Sequence, residues 1–194
     1  MKQILISIKP QWVERILSGQ KTLEIRKTAP KEWADYFNGK TKKKPDPMIV
    51  YIYCTKNDYI GYLSNRYVGK IVAKFTLKEV YAIRKYESLK QTYRIYRKDL
   101  AGREVYGLWT YQIRKDPFWK GSCLLYGELD DYLKSNNGYA WEINNLKIFF
   151  DPKDLNQFDY QNPSGIVNAS QRSIKGLPNK KHPPQSWCYV EENE

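Results

Sequence analysis

The stretch QILISIKPQWVERILSGQKTLEIRK, residues 3–27, decides how the chain begins to fold. Residues 3–8 (QILISI) are apolar and partly alternating, which predicts a first strand ending at Lys9. Pro10 suits the first position of a helix, where its missing N–H costs nothing. Trp12, Val13, Ile16 and Leu17 then recur at helical spacing, and Gly19 supplies the stop. One residue later KTLEIRK, residues 21–27, reads as a second strand. Its period of two puts Leu23 and Ile25 on one face and Thr22, Glu24 and Arg26 on the other, with Lys21 at the entrance. The expectation is a half-buried strand whose second face carries a hydroxyl, a carboxylate and a guanidinium in a row.

Working outward, residues 28–47 read as a loop with one helical turn and a dense basic run, Lys40, Lys42, Lys43 and Lys44. MIVYIYCT, residues 48–55, is a buried strand, and YVGKIVAKFT, residues 67–76, another. Leu89, Tyr93, Tyr96 and Leu100 fit a helix over residues 86–100. Residues 103–121 carry no clear period. SCLLYGELDDYLKSNNG, residues 122–138, predicts a helix with Leu129, Tyr132 and Leu133 inward and Asn-Asn-Gly as terminator. YAWEINNLKIFF, residues 139–150, gives two short strand-like pieces, in which Leu146, Ile148 and Phe150 alternate with Lys147 and Phe149. A polar stretch over residues 152–184 precedes a last apolar segment, QSWCYVEE. Short strands around an opening β-helix-β unit predict an α+β fold built on a small, partly closed β-barrel with helices packed around it.

The 194 residues suffice for one core, and no repeat or linker divides them, so a single domain over residues 1–194 is expected. Lys and Arg number 33 against 21 Asp and Glu, a formal charge of +12, and aromatic residues make up 15% of the chain, with 17 Tyr and 6 Trp. That combination suits a polyanion whose phosphates meet cations while its bases stack on rings; it equally suits a basic protein whose rings fill a β-rich core. Three cysteines, Cys54, Cys123 and Cys188, form no CxxC pair. A zinc site or disulfide framework is therefore not expected, all three read as buried apolar residues, and a reducing cytoplasm is the expected location. No apolar run is long enough to span a bilayer, and no membrane partner, metal or cofactor is expected. The single histidine, His182, sits in the polar NKKHPPQ stretch, so catalysis would rest on Lys, Glu, Thr, Ser or Tyr.

The opening ILISIKPQWVERILSGQKTLEIRK resembles the start of an ASCH domain, whose strand and helix are followed by G-x-K-x-x-E-x-R; here those positions are Gly19, Lys21, Glu24 and Arg26. YVGKIVAKFTLKEV, GYAWEINNLKIFFDPKDLNQF and PPQSWCYVEE resemble later pieces of phage- and Firmicutes-type members, which leaves about 80–121 and 159–180 as elaborations. The resemblance implies a PUA-like β-pseudobarrel of about five to seven mostly antiparallel strands. It also implies a cleft beside the Glu-x-Arg strand and a partner that is RNA, single-stranded nucleic acid or a nucleoside. Two enzymatic offshoots are implied as alternatives: a ribonuclease, and an amidohydrolase that deacetylates acetylcytidine nucleosides with Lys, Thr and Glu.

The amidohydrolase lysine matches Lys21, but its nucleophilic threonine falls on Glu24, not Thr22, and Glu79 is only the nearest acidic candidate for its glutamate. The candidate contacts are thus Lys9, Lys21, Thr22, Glu24, Arg26, Tyr139, Trp141, Ser186 and Trp187, with Lys21 and Glu24 catalytic if the chain is an enzyme. Beside these stand a plain Glu24–Arg26 salt bridge and core roles for Trp141 and Trp187. A third alternative is a phage-encoded interaction protein acting through the segments outside the resemblance.

Overall fold

The computed structural model describes residues 1–56, 61, 63, 65–85, 93–98, 104–109, 117–134, 136–161 and 182–192. It is α+β, with eleven strands and four helices among the described residues. The chain divides into two compact units: Met1–Ser18, Met48–Thr76 and Asn145–Glu194 form the first, Gly19–Pro47 and Leu77–Asn144 the second.

In the first unit, β1 (Gln3–Ile8), β3 (Met48–Cys54), β4 (Ile71–Leu77), β9 (Asn144–Lys153), β10 (Phe158–Gln161) and β11 (Trp187–Glu192) build a sheet in the order β10-β11-β1-β3-β4-β9. β1 runs parallel to β3, Gln3 opposite Ile49, and antiparallel to β11, Gln3 opposite Val190. One core gathers Leu5, Tyr51, Tyr53, Ile71, Phe158 and Val190, all under 10% exposed, with the Tyr51 and Phe158 rings edge to face at 4.7 Å. Helix α1 (Pro10–Leu17) follows the sequence expectation: Pro10 starts it, Pro10, Val13 and Ile16 are buried, and Gly19 just beyond it has φ +75°. A β-carbon at that φ is strained, so glycine belongs there.

In the second unit, β2 (Leu23–Arg26), β5 (Val80–Lys85), β6 (Tyr93–Lys98), β7 (Glu104–Trp109) and β8 (Gly138–Glu142) form an antiparallel sheet in the order β2-β8-β5-β6-β7. Leu23, Ile25, Ile83, Tyr93, Ile95 and Ala140 from its strands pack with Phe118 of α3 (Pro117–Ser122) and with Leu129 and Leu133 of α4 (Tyr126–Leu133). The turn expected after β2 is a seven-residue helix, α2 (Lys31–Phe37), which buries Trp33, Tyr36 and Phe37.

Several expectations are corrected here. The eleven strands exceed the expected five to seven, and residues 80–109 supply three of them, β5, β6 and β7. Where the sequence predicts a helix over 86–100, residues 93–98 are β6; residues 86–92, 99 and 100 lie outside the described residues. Tyr93 and Tyr96 satisfy a helical period, but Tyr93 and Ile95 satisfy a strand period too, and pairing Ile83 opposite Ile95 decides between them.

Helix α4 ends on Lys134, left-handed at φ 52°, not on Asn-Asn-Gly. Gly138 instead opens β8, where a β-carbon would lie 2.6 Å from Leu133 Cδ2 and 3.1 Å from the Arg26 carbonyl oxygen. Tyr132, expected inward, is 38% exposed and receives the Lys27 ammonium 5.3 Å from its ring centre. β2 is not half-buried: all four of its residues are buried. On β9, Phe149 turns inward to Tyr51 while Ile148 and Phe150 are exposed. The elaboration expected at 159–180 lies largely outside the described residues.

Candidate functional site

The charged face of β2 becomes a buried cluster within the second unit. The start of the strand is fixed by α3: Thr22 N–H donates to the Gly121 carbonyl at 2.8 Å, and Ile143 N–H donates to the Thr22 carbonyl at 2.9 Å. Backbone can approach this closely only because residue 121 is glycine. A β-carbon there would stand 2.6 Å from Thr22 Oγ1 and 3.2 Å from Leu23 Cγ.

The same contact carries Lys21 inward, where its Nζ donates to the Ser122 carbonyl at 2.6 Å and lies 3.5 Å from Glu24 Oε2. Arg26 Nη2 meets the other oxygen, Glu24 Oε1, at 3.1 Å. Lys21, Glu24 and Arg26 are 3%, 6% and 7% exposed, so one carboxylate stands between two cations away from water. Cross-strand pairing with β8 sets the frame, Glu24 opposite Trp141 and Arg26 opposite Tyr139.

Burial of this kind does not stabilise for its own sake. Removing charges from water costs several kcal/mol per ion before their attraction returns it, and clusters that shift a pKa in this way are functional candidates. The Lys21 pKa is held below its ordinary 10.5, chiefly by burial; Glu24 and the Cys123 sulfur oppose the shift and Arg26 adds to it. A lysine poised in this way yields a neutral amine more readily than a surface lysine, which is what a general base requires.

That depression has a testable sign. Because the folded pKa lies below the unfolded 10.5, the unfolded chain holds more protons between the two values and stability rises with pH across that window. Cys54 and Cys188, pushed up to about 11 and about 12 by burial, act in the opposite sense at high pH. The Lys21 contribution is therefore read as a difference: Lys21→Met should flatten the alkaline rise in urea midpoint relative to the parent chain. Identical pH profiles for the two would show that Lys21 is not desolvated.

The remaining candidates are distributed as follows. Thr22 is exposed, and Tyr139 is half-buried with the Arg84 guanidinium 5.2 Å from its ring centre. Trp141 is 0% exposed, its ring enclosed. Glu79 pairs with Lys44 at 2.6 Å, and in the same basic run Lys40 meets Asp35 and Lys43 meets Asp46. Lys9, Ser186 and Trp187 belong to the first unit. There Lys9 precedes α1, the Ser186 carbonyl accepts from Ser7 N–H at 2.9 Å, and the half-buried Trp187 ring lies 5.6 Å from that of Tyr189.

The sequence reading gave no site role to Gly121, Ser122 or Cys123, since nothing marks a Gly-Ser-Cys tripeptide, at the join of an unassigned segment and an expected helix, as the partner of a strand one hundred residues earlier. Cys123 is not the buried apolar residue expected: it is half-buried, left-handed at φ 57°, and its Sγ donates to the Gln20 carbonyl at 3.3 Å. Among the described residues no group of His, Cys, Asp and Glu is placed to hold a metal ion, and no helix is long and apolar enough to cross a membrane.

An α+β fold of this kind has counterparts among known proteins. The ASCH domain family matches residues 6–147, and the chain belongs to that family. Among solved structures it is similar to the ASCH protein of Zymomonas mobilis, at 14% identity and a TM-score of 0.52, over 98% of this chain and 88% of that one. It is also similar to a single-residue variant of that protein, at 13% identity and a TM-score of 0.51, over 98% and 91% of the two chains. At such identities the likeness shows a shared fold alone. No curated protein matches the chain.

Proposed function

We propose that this chain is a cytoplasmic RNA-binding ASCH protein that recognises a nucleotide or modified base through Lys21, Glu24 and Arg26. The observation that carries the reading is the composition of the buried set, two cations around one carboxylate. With Lys21 protonated the set attracts an anion; with Lys21 neutral it is balanced, so a phosphate or an ionised base edge is the ligand it favours in its charged form. The formal charge of +12 supports a polyanion partner. Exposed Thr22 and half-buried Tyr139, on the neighbouring strand of the same unit, extend the contact set; Lys9, Ser186 and Trp187 are candidate contacts of the first unit by itself.

The test is a salt titration of binding to bulk tRNA by fluorescence anisotropy. Affinity should fall steeply with salt, and Arg26→Lys, which keeps charge but loses the planar fork, should weaken it. Salt-independent or undetectable binding would sink the reading.

The lowered pKa of Lys21, buried against the Ser122 carbonyl, favours a second reading, hydrolysis of RNA or of an acylated nucleoside with Lys21 as general base or electrostatic stabiliser and Glu24 as acid or base. Mass spectrometry of tRNA and acetylcytidine after incubation decides it: a shortened RNA or a lost acetyl group, absent with Lys21→Ala, makes the chain an enzyme.

A further inference from the structure

The first unit presents a second feature that its core does not absorb. β9 (Asn144–Lys153) ends its sheet among the described residues, and it directs Phe149 inward while Ile148 and Phe150, two residues apart, stand 47% and 82% exposed. A phenyl ring so exposed on a regular strand is unusual, and here it has company. The Arg66 guanidinium, from the short 3-10 turn Asn65–Tyr67, lies 6.0 Å from the Phe150 ring centre and 4.8 Å from that of Tyr67, and donates to the Tyr67 hydroxyl at 2.8 Å. The result is an aromatic surface with a planar cation set against its rings.

We infer that Phe150, with Ile148, Arg66 and Tyr67, is a stacking platform for single-stranded nucleic acid. A base lies flat on an exposed ring whatever its identity, because each base has a π face, while an adjacent guanidinium both stacks and reaches phosphate oxygens. A second copy of this chain adding its own strand to β9 is the competing occupant, and the strand is built against it. Pro152 lacks an amide hydrogen, and Lys147, Asp151 and Lys153 place charges along the same strand. The inference rests on the reading that the partner is RNA and adds a contact that belongs to the first unit.

Anisotropy of a short labelled single-stranded RNA, with the full chain, tests it. Phe150→Ala should weaken binding about five- to a hundred-fold, the usual loss for one stacked base, and Phe150→Trp should retain it. Arg66→Ala should lower the slope of log affinity against log salt by roughly one phosphate contact. Since Phe150 is exposed, circular dichroism and the urea midpoint should not move. Parental affinity in Phe150→Ala overturns the platform while leaving the Lys21 site untouched. If Phe150→Ala instead abolishes a dimer seen by sedimentation and leaves RNA affinity unchanged, the strand serves self-association and the platform is overturned. Absence of RNA binding by the parent chain overturns both readings.

Discussion

Glu24→Ala should lower the free energy of unfolding by about 3–5 kcal/mol, measured as a fall in the urea midpoint at neutral pH. The carboxylate is the shared counter-ion of Lys21 and Arg26, at 3.5 Å and 3.1 Å, and all three side chains are at most 8% exposed. Removing it leaves two cations facing each other out of water, which is far costlier than losing a surface ion pair. The loss should shrink as pH rises, because without Glu24 the Lys21 ammonium is held still less firmly and folding favours the neutral amine. Replacing the whole set together, Lys21→Met, Glu24→Leu and Arg26→Met, should recover much of the stability, since apolar groups of similar volume incur no desolvation of charge. An alanine variant that unfolds at the parental midpoint would mean that the cluster is solvated in solution. A triple variant that is stable yet silent toward RNA would separate the role of the set in binding from its role in folding.

Leu129→Ala should lower stability by about 2–5 kcal/mol, from lost transfer energy and the cavity left behind. Leu129 is 0% exposed and sits with Ile83, Tyr93, Ile95 and Phe118 in the core that fixes α4 to the second sheet. Four residues earlier Leu125 is 67% exposed, and Leu125→Ala should change stability by no more than about 0.5 kcal/mol. Thermal unfolding of the two variants side by side checks the contrast. Equal effects would mean that α4 does not pack as described.

Much of this architecture follows from short-range pattern. The run from β1 through α1 to Gly19 depends on contacts a few residues apart, and alternation alone is enough to place Glu24 and Arg26 on one face of β2. The same holds for β3, too apolar to lie anywhere but inside, and for Leu129 and Leu133, one helical turn apart. The misreadings fall where two periods coexist or where a distant segment decides. Tyr93 and Tyr96 fit a helix in isolation, and only β5 lying alongside makes them part of a strand. Phe149 and Phe150 are adjacent and equally apolar, so nothing local says which turns inward; the Tyr51 ring does.

For the site, the sequence by itself determined which side chains share a face: the strand period aligns Thr22, Glu24 and Arg26, and the short link after Gly19 places Lys21 beside them. It did not determine that Lys21, Glu24 and Arg26 are closed to water while Thr22 stays exposed, because solvent exposure is set by what packs against a strand, and that partner arrives from residues 121 and 122. Only the tertiary structure brings the Ser122 carbonyl to the Lys21 ammonium and the Gly121 backbone to Thr22. Desolvation, the physical cause of the lowered Lys21 pKa, is a property of that enclosure and of no residue alone.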